Sequence, residues 1–338
     1  MDFSLPPEVE EYRQQVRRIV AATVTPESIH ACHESGTFDI PVLNAALAAE
    51  GLVERAVPGL GSGDPIELWV LFNELEKAQV PFDALAVSVM IAGVVNRVGT
   101  DEQKARVIPS IIEARSHVCM GYSEPDFGSD VASITTKAVR DGDEWVINGA
   151  KMWTTMATER TNATFYDDVR VGDEAVLGDV NEGWSVMTVA LSLERGVMGG
   201  TNPGVPLLRH FREWAEASGA IVDPVVRERM ARVAIDNEVA KLLTQRSAWI
   251  AASGGTPGLE GSMTKIFATE AYQKASRWFS MSAGPEGLLQ FGEDGAAAGG
   301  WIEYDARHSP VTTIYGGTSE INRNNVAERH LGLPKARR

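Results

Sequence analysis

Cysteine is nearly missing from this chain. Its 338 residues hold two, Cys32 and Cys119, far apart and outside any Cys-x-x-Cys spacing, which excludes a disulfide scaffold and offers no zinc pattern. Long apolar runs are also lacking. None approaches the roughly 20 residues that cross a bilayer, and Met-Asp-Phe-Ser-Leu-Pro-Pro-Glu at the start does not have the charged and apolar regions of a secretory leader. The cytoplasm is therefore the expected compartment. Positive charge is scarce too: 31 Lys and Arg against 46 Asp and Glu leave a net charge of −15, which argues against binding nucleic-acid phosphates. Neither an internal repeat nor a low-complexity segment is visible.

What is present suits a soluble protein of more than one structural unit, with 44% hydrophobic and 23% charged residues. From Pro7 to about Ala22, Val9, Tyr12, Val16, Ile19 and Val20 recur at helical spacing. Similar patterns predict helices over Val42–Glu50, Pro65–Lys77 and Asp83–Arg97, with a Gly- and Pro-dense loop at Gly59–Pro65. Thr100-Asp-Glu-Gln103 has the form of a capping box, so a helix begins there and runs to about Val107. Pro109 is expected to open a second short helix ending near Arg115. After Gly121 the pattern changes. Val131–Ile147 holds two runs rich in β-branched residues around Arg140-Asp-Gly-Asp143, which reads as a hairpin. Helical spacing returns over Gly183–Gly199, Pro206–Ala217, Pro224–Ala251 and Leu259–Met281, in lengths that suit a bundle. Gly284–Gly300 reads as a loop, and a last helix is expected from Ser319 to about Leu333. The fold class is mainly α with a small inserted β domain: a helical block over 1–118, a β domain over 119–180 and a helix bundle over 181–338.

The organising motifs are Cys119-Met-Gly-Tyr-Ser-Glu-Pro-Asp-Phe-Gly-Ser-Asp130 and Asn148-Gly-Ala-Lys-Met-Trp-Thr-Thr155. With Gly99-Thr-Asp-Glu-Gln-Lys104, Asn181-Glu-Gly-Trp184 and Ile314-Tyr-Gly-Gly-Thr-Ser-Glu-Ile-Asn-Arg323, they stand in the order found in the acyl-CoA dehydrogenase family of flavoproteins. The chain strongly resembles that family over most of its length. The resemblance implies FAD as cofactor, with Tyr122 and Ser123 at the flavin edge, Gly128 and Ser129 at the pyrophosphate, Trp153 over one ring face, Thr155 near the reactive nitrogen, and Thr318 as a further contact. Backbone amides in a Gly-Ser-Asp turn are suited to an anion. On composition alone, the same residues also read as a Gly/Ser/Pro-rich loop beside a core tryptophan, and Thr318 as a helix N-cap.

The implied reaction is α,β-dehydrogenation of an acyl-CoA thioester, in which a carboxylate takes the α-proton. Many relatives carry that base in a Tyr-Glu-Gly-Thr motif, but Gly316 stands at the position here. A minority place it in a Leu-x-x-Glu-Arg context, matched by Leu191-Ser-Leu-Glu-Arg195, so Glu194 is the expected base. Its alternative is a solvated Glu–Arg pair; Glu303 and Glu320 are weaker candidates. Two further departures bear on assembly. The segment Glu216–Pro224 lacks the Arg and Phe that relatives lend to a neighbour's FAD, and Ser280–Gly287 lacks the later glycine-rich motif. The chain thus resembles the heteromeric, sterol side-chain type of actinobacterial acyl-CoA dehydrogenase, with a related subunit as partner and an electron-transfer flavoprotein as acceptor. A homo-oligomer with another adenine-binding mode is the alternative. The sequence between Thr155 and Arg160 is also too short for the strands relatives have there, so the β domain is expected to be truncated. The truncated β region and Gly316 keep a non-catalytic structural subunit open as an alternative, and an acyl-CoA oxidase-like flavoenzyme is a third. Gly196, Gly199 and Gly200 suit either a bulky branched or steroid acyl group or close helix packing.

Overall fold

In the computed structural model, residues 5–61, 63–154, 163–198, 202–255 and 258–335 are described. The chain forms two compact units. Among the described residues, one comprises those before Met198 apart from Glu76–Gln79, and the other those four residues together with Met198 onward.

The first unit begins with α1 (Pro7–Thr23), α2 (Pro26–Ser35), α3 (Pro41–Ala49) and α4 (Leu52–Ala56). It continues through α5 (Pro65–Lys77), α6 (Asp83–Val98) and α7 (Asp101–Ile112). Proline opens α1, where its missing N–H has no helical partner to lose, and Val9, Tyr12 and Val16 form its buried stripe. The Tyr12 hydroxyl donates to the Leu52 carbonyl at 2.9 Å, tying α1 to α4. In α6 the buried positions run almost unbroken from Ala84 to Val95; a helix apolar on all sides is one enclosed by its neighbours. Thr100 and Gln103 make the expected capping box at the start of α7. Pro109, however, lies inside α7 and does not open a second helix. It falls in the last turn, where one lost backbone bond costs little beside the burial of Ile108 and Ile111 on the same helix. The short helices α2 and α4 had no periodic run long enough to announce them. For α2 the signal was in its cap: Thr25 before Pro26, with Ser28 closing a capping box.

The predicted hairpin is present as β1 (Lys137–Asp141) and β2 (Glu144–Met152), antiparallel with Asp141 opposite Glu144. Gly142, at φ 61°, supplies the left-handed residue that so tight a turn requires. Antiparallel β3 (Ala163–Val171) completes the order β1-β2-β3. A bulge falls beside Asn148, whose side chain exchanges two hydrogen bonds with Asp168 at 3.0 and 2.9 Å. Among the described residues the sheet has these three strands, too few to close a barrel. The unit's last helix is α8, which starts at Gly183 and runs to Met198.

The second unit holds α9 (Gly204–Ala217), α10 (Pro224–Ala252), α11 (Leu259–Ala283), α12 (Trp301–Thr312) and α13 (Ser319–Asn325). Its core joins Leu207 and Phe211 of α9, Val226 and Val233 of α10, Tyr272 and Phe279 of α11, and Ile302 of α12. The Phe211 and Phe279 rings stack at 3.8 Å. The Gly284–Gly300 segment contains two short 3-10 turns. The last helix is divided: α13 ends at Asn325 and a π-helical turn covers Val326–His330. No described helix is long and apolar enough to cross a membrane.

Candidate functional site

The 119–130 loop is fastened to the end of β2. Glu124 and Phe127 exchange backbone hydrogen bonds at 2.8 and 3.1 Å, making a tight turn. The Met152 amide donates to the Ser123 carbonyl at 2.8 Å. The buried Glu124 carboxylate accepts from the Thr135 amide (2.6 Å), the Thr135 hydroxyl (2.8 Å), the Thr136 amide (2.9 Å) and Lys151 Nζ (3.0 Å). Burial alone would raise its pKa, but these donors outweigh it and hold the carboxyl well below the usual range. Gly121 permits the close approach: a Cβ there would lie 3.3 Å from both Cγ2 and Oγ1 of Thr154.

This fastening leaves several donors and one large ring facing outward. Tyr122 and Ser123 are half-buried, while Gly128 and Ser129 are exposed. Among the described residues nothing accepts from the Gly128 and Ser129 amides or the Ser123 hydroxyl. A Cβ on Gly128 would meet only Ser123 Oγ, at 3.9 Å, so the residues flanking the Glu124–Phe127 turn are neighbours. Trp153 is 65% exposed and sits at φ 56°. A bulky residue held in that left-handed conformation points to a functional constraint. Next to it, the buried Thr154 hydroxyl has no hydrogen-bond partner among the described residues. Exposed amides for a phosphate, hydroxyls at a ring edge and an exposed indole fit the ring-and-pyrophosphate half of a dinucleotide flavin. Thr155 lies outside the described residues.

Glu194 stands half-buried on α8 in the same unit. Its charge reaches Tyr122: burial chiefly, and the Glu194 carboxylate in addition, push the Tyr122 hydroxyl up to about 12. α8 is set close to α6 because Gly93 has no side chain; a Cβ there would stand 3.1 Å from Leu193 Cδ1 and 3.2 Å from Pro58 Cδ. Gln103 adds a second anchor, donating to the carbonyls of Glu174 (3.0 Å) and Val176 (2.8 Å) ahead of α8. Sequence reasoning had seen Gln103 only as a capping residue, and had given Glu124 and Lys151 no role. Their opposite charges, one in each of the two motifs, were the available signal.

Thr318 belongs to the second unit and caps α13, its hydroxyl accepting from the Ile321 amide at 3.1 Å. Gly316 and Gly317 precede it at φ 63° and 81°. Glu303 is held by Arg307 through two hydrogen bonds, and Glu320 lies in the first turn of α13. Asp223 caps α10, accepting from Val225 at 2.8 Å.

Comparison with known proteins agrees along the whole chain. Family models match at residues 6–115 (acyl-CoA dehydrogenase, N-terminal domain), 119–196 (middle domain) and 181–331 (C-terminal domain). The chain is 30% identical to acyl-CoA dehydrogenase FadE26 of Mycobacterium tuberculosis in an alignment that covers all of both. That alignment spans 405 positions, more than the 338 residues of this chain, so part of the relative has no counterpart here. FadE29 of the same organism is 28% identical, with 83% of this chain and 84% of that protein covered. Among solved structures, the Tcur3481-Tcur3483 steroid ACAD superposes with a TM-score of 0.86 at 27% identity, covering 99% of this chain and 100% of that one. The ChsE4-ChsE5 complex from Mycobacterium tuberculosis gives 0.83 at 30% identity, with 99% and 100% covered. The chain belongs to the acyl-CoA dehydrogenase family of FAD-dependent oxidoreductases.

Proposed function

We propose that this chain is the base-bearing subunit of a heteromeric acyl-CoA dehydrogenase that unsaturates a branched or steroid side-chain acyl-CoA. The observation that carries the reading is the half-buried Glu194 of α8, in the same unit as the 119–130 loop and within electrostatic reach of Tyr122. It puts a carboxylate in reach of the loop assigned to the flavin edge.

In this reading Glu194 takes the α-proton of the thioester, the Cα–H electron pair forms the Cα=Cβ double bond, and the β-hydrogen departs as hydride. FAD, when bound, supplies the acceptor for that hydride. A half-buried position suits Glu194 to the work, since a thioester α-proton is weakly acidic and the base must be kept from full hydration. The exposed Gly128 and Ser129 amides hold the pyrophosphate, Ser123 and Tyr122 the ring edge, and Trp153 one ring face. Thr155 and Thr318 are assigned further flavin contacts. An electron-transfer flavoprotein is the proposed electron acceptor. The heteromer rests on two supports: the Arg and Phe missing from Glu216–Pro224, and the similarity to proteins whose names pair two different chains.

Glu194→Gln is expected to retain FAD and to lose turnover by roughly a thousandfold, within the range for one positioned base. Near-normal turnover with FAD bound would place the base elsewhere. The three-stranded sheet and Gly316 favour a second reading, a structural subunit without catalysis; wild-type turnover that survives Glu194→Gln but needs an intact partner chain would select it.

A further inference from the structure

We infer that the buried ion pair between Lys151 and Glu124 is a positioning device for the flavin ring, holding the loop donors and the Trp153 indole at a fixed separation. The inference rests on the assignment of the 119–130 loop and Trp153 to the flavin.

The pair is placed where both sides of that surface meet. Lys151 Nζ donates to Glu124 Oε1 at 3.0 Å and to the Tyr122 carbonyl at 3.2 Å. Just past the end of β2, Trp153 follows two residues later; on the loop, Tyr122 and Ser123 immediately precede Glu124. The Met152–Ser123 backbone bond lies beside the pair. One ammonium therefore fixes the loop carbonyl, the loop carboxylate and the strand that carries the indole.

Burial makes this a costly way to hold a fold together. The Lys151 and Glu124 side chains are 10% and 3% exposed. In Arg55–Glu67 and Arg17–Glu74 of the same unit the arginine remains 35% and 45% exposed. A buried ion pair is commonly no more stabilising than apolar residues of the same volume, and what it can add is a unique geometry. Glu124 is also tied through Thr135 and Thr136 to the residues leading into β1, so its carboxylate cannot swing away with the lysine. Neither charge faces the outer surface where a ligand would lie, so the pair acts through its neighbours and touches no reacting atom.

The test uses the form of the protein that retains FAD, whether the chain alone or its complex with a co-expressed dehydrogenase subunit, with FAD itself as the probe. Lys151→Met is compared with Arg55→Met, which removes an ion pair remote in sequence, and with the double variant Lys151→Met/Glu124→Gln. Lys151→Met is expected to weaken FAD binding by at least about tenfold, within the range of coupled neighbours. It should also shift the visible flavin bands and the flavin reduction potential. Arg55→Met should lower the melting temperature yet leave the bands in place. The double variant, with no orphaned charge, should recover most of the folding loss while keeping the shifted bands. If Lys151→Met retains wild-type bands and affinity while Trp153→Ala loses them, the positioning role is wrong and the flavin assignment stands. If Trp153→Ala also leaves FAD unaffected, the flavin assignment fails and the inference falls with it. A loss of FAD in Lys151→Met that only parallels a fall in melting temperature, as in Arg55→Met, reduces the pair to a structural one.

Discussion

Asp305 of α12 carries a carboxyl into the core of the second unit, where the Tyr272 hydroxyl donates to its Oδ1 at 2.5 Å. Burial pushes this aspartate up to about 7, with the tyrosine bond opposing the shift only in part, and it drives Tyr272 well above the ordinary phenol value. In the unfolded chain the aspartate returns to its ordinary 3.8. Between those values the folded state binds a proton that the unfolded state has released, so stability falls as pH rises from about 4 to about 7. Below that window the contribution is fully present. Asp305→Asn removes the titration. Its melting temperature should therefore drop less between pH 5 and pH 8 than that of the wild type, and an equal or larger drop would show that the carboxyl is already ionised in the fold. Glu124 has the opposite sign. Its folded value is depressed, so its contribution is present at neutral pH and is lost only in strong acid, as pH falls below the ordinary carboxylate value of 4.5. Above that range Glu124 keeps its charge beside Lys151.

Among the elements, α7 shows how one residue can serve two scales of structure. Thr100 and Gln103 form a local cap, and the Gln103 side chain also holds the Glu174 and Val176 carbonyls ahead of α8. Thr100→Ala should cost about 1 kcal/mol, as cap removals do. Gln103→Ala should cost more, roughly 2–3 kcal/mol, because it also strips the donor from two carbonyls. Denaturant unfolding of the two variants gives the order; equal losses would mean that the longer-range bonds contribute nothing. The cap itself was legible because its chemistry is written within four residues, whereas the reach to residue 176 depends on tertiary packing. The same division explains the other elements. Helices α1, α3, α5, α6, α10 and α11 declared themselves by apolar stripes, and the hairpin by its Gly142 turn. α12 was hidden between a Gly- and Ala-rich segment and Pro310, which lies within it. The break at Asn325 had no local sign, since helical residues continue through the π-helical turn.

For the molecule as a whole, a net charge of −15 has to be reconciled with a coenzyme A ligand that is itself polyanionic. The partner chain of the proposed heteromer would meet this need by supplying local positive charge together with FAD contacts. Co-expression with a related dehydrogenase chain should give a complex whose native mass contains both and whose visible absorbance corresponds to one FAD per pair. Full FAD occupancy in this chain purified alone would restore a self-sufficient homo-oligomer. Oxygen uptake without an added electron acceptor would identify an oxidase.

By itself the sequence determined the helical blocks, the inserted hairpin and the family. Each of these is carried by local periodicity, turn chemistry or ordered motifs that survive without any knowledge of packing. Tertiary structure decided which of the motif residues meet. It brought the Glu194 charge to Tyr122 across 72 positions of chain, buried Lys151 against Glu124, and left Trp153 exposed in a left-handed conformation. Those outcomes depend on contacts between residues distant in sequence, where the close approach of α6 and α8 at Gly93 and the docking of the loop on β2 set distances that no local pattern encodes.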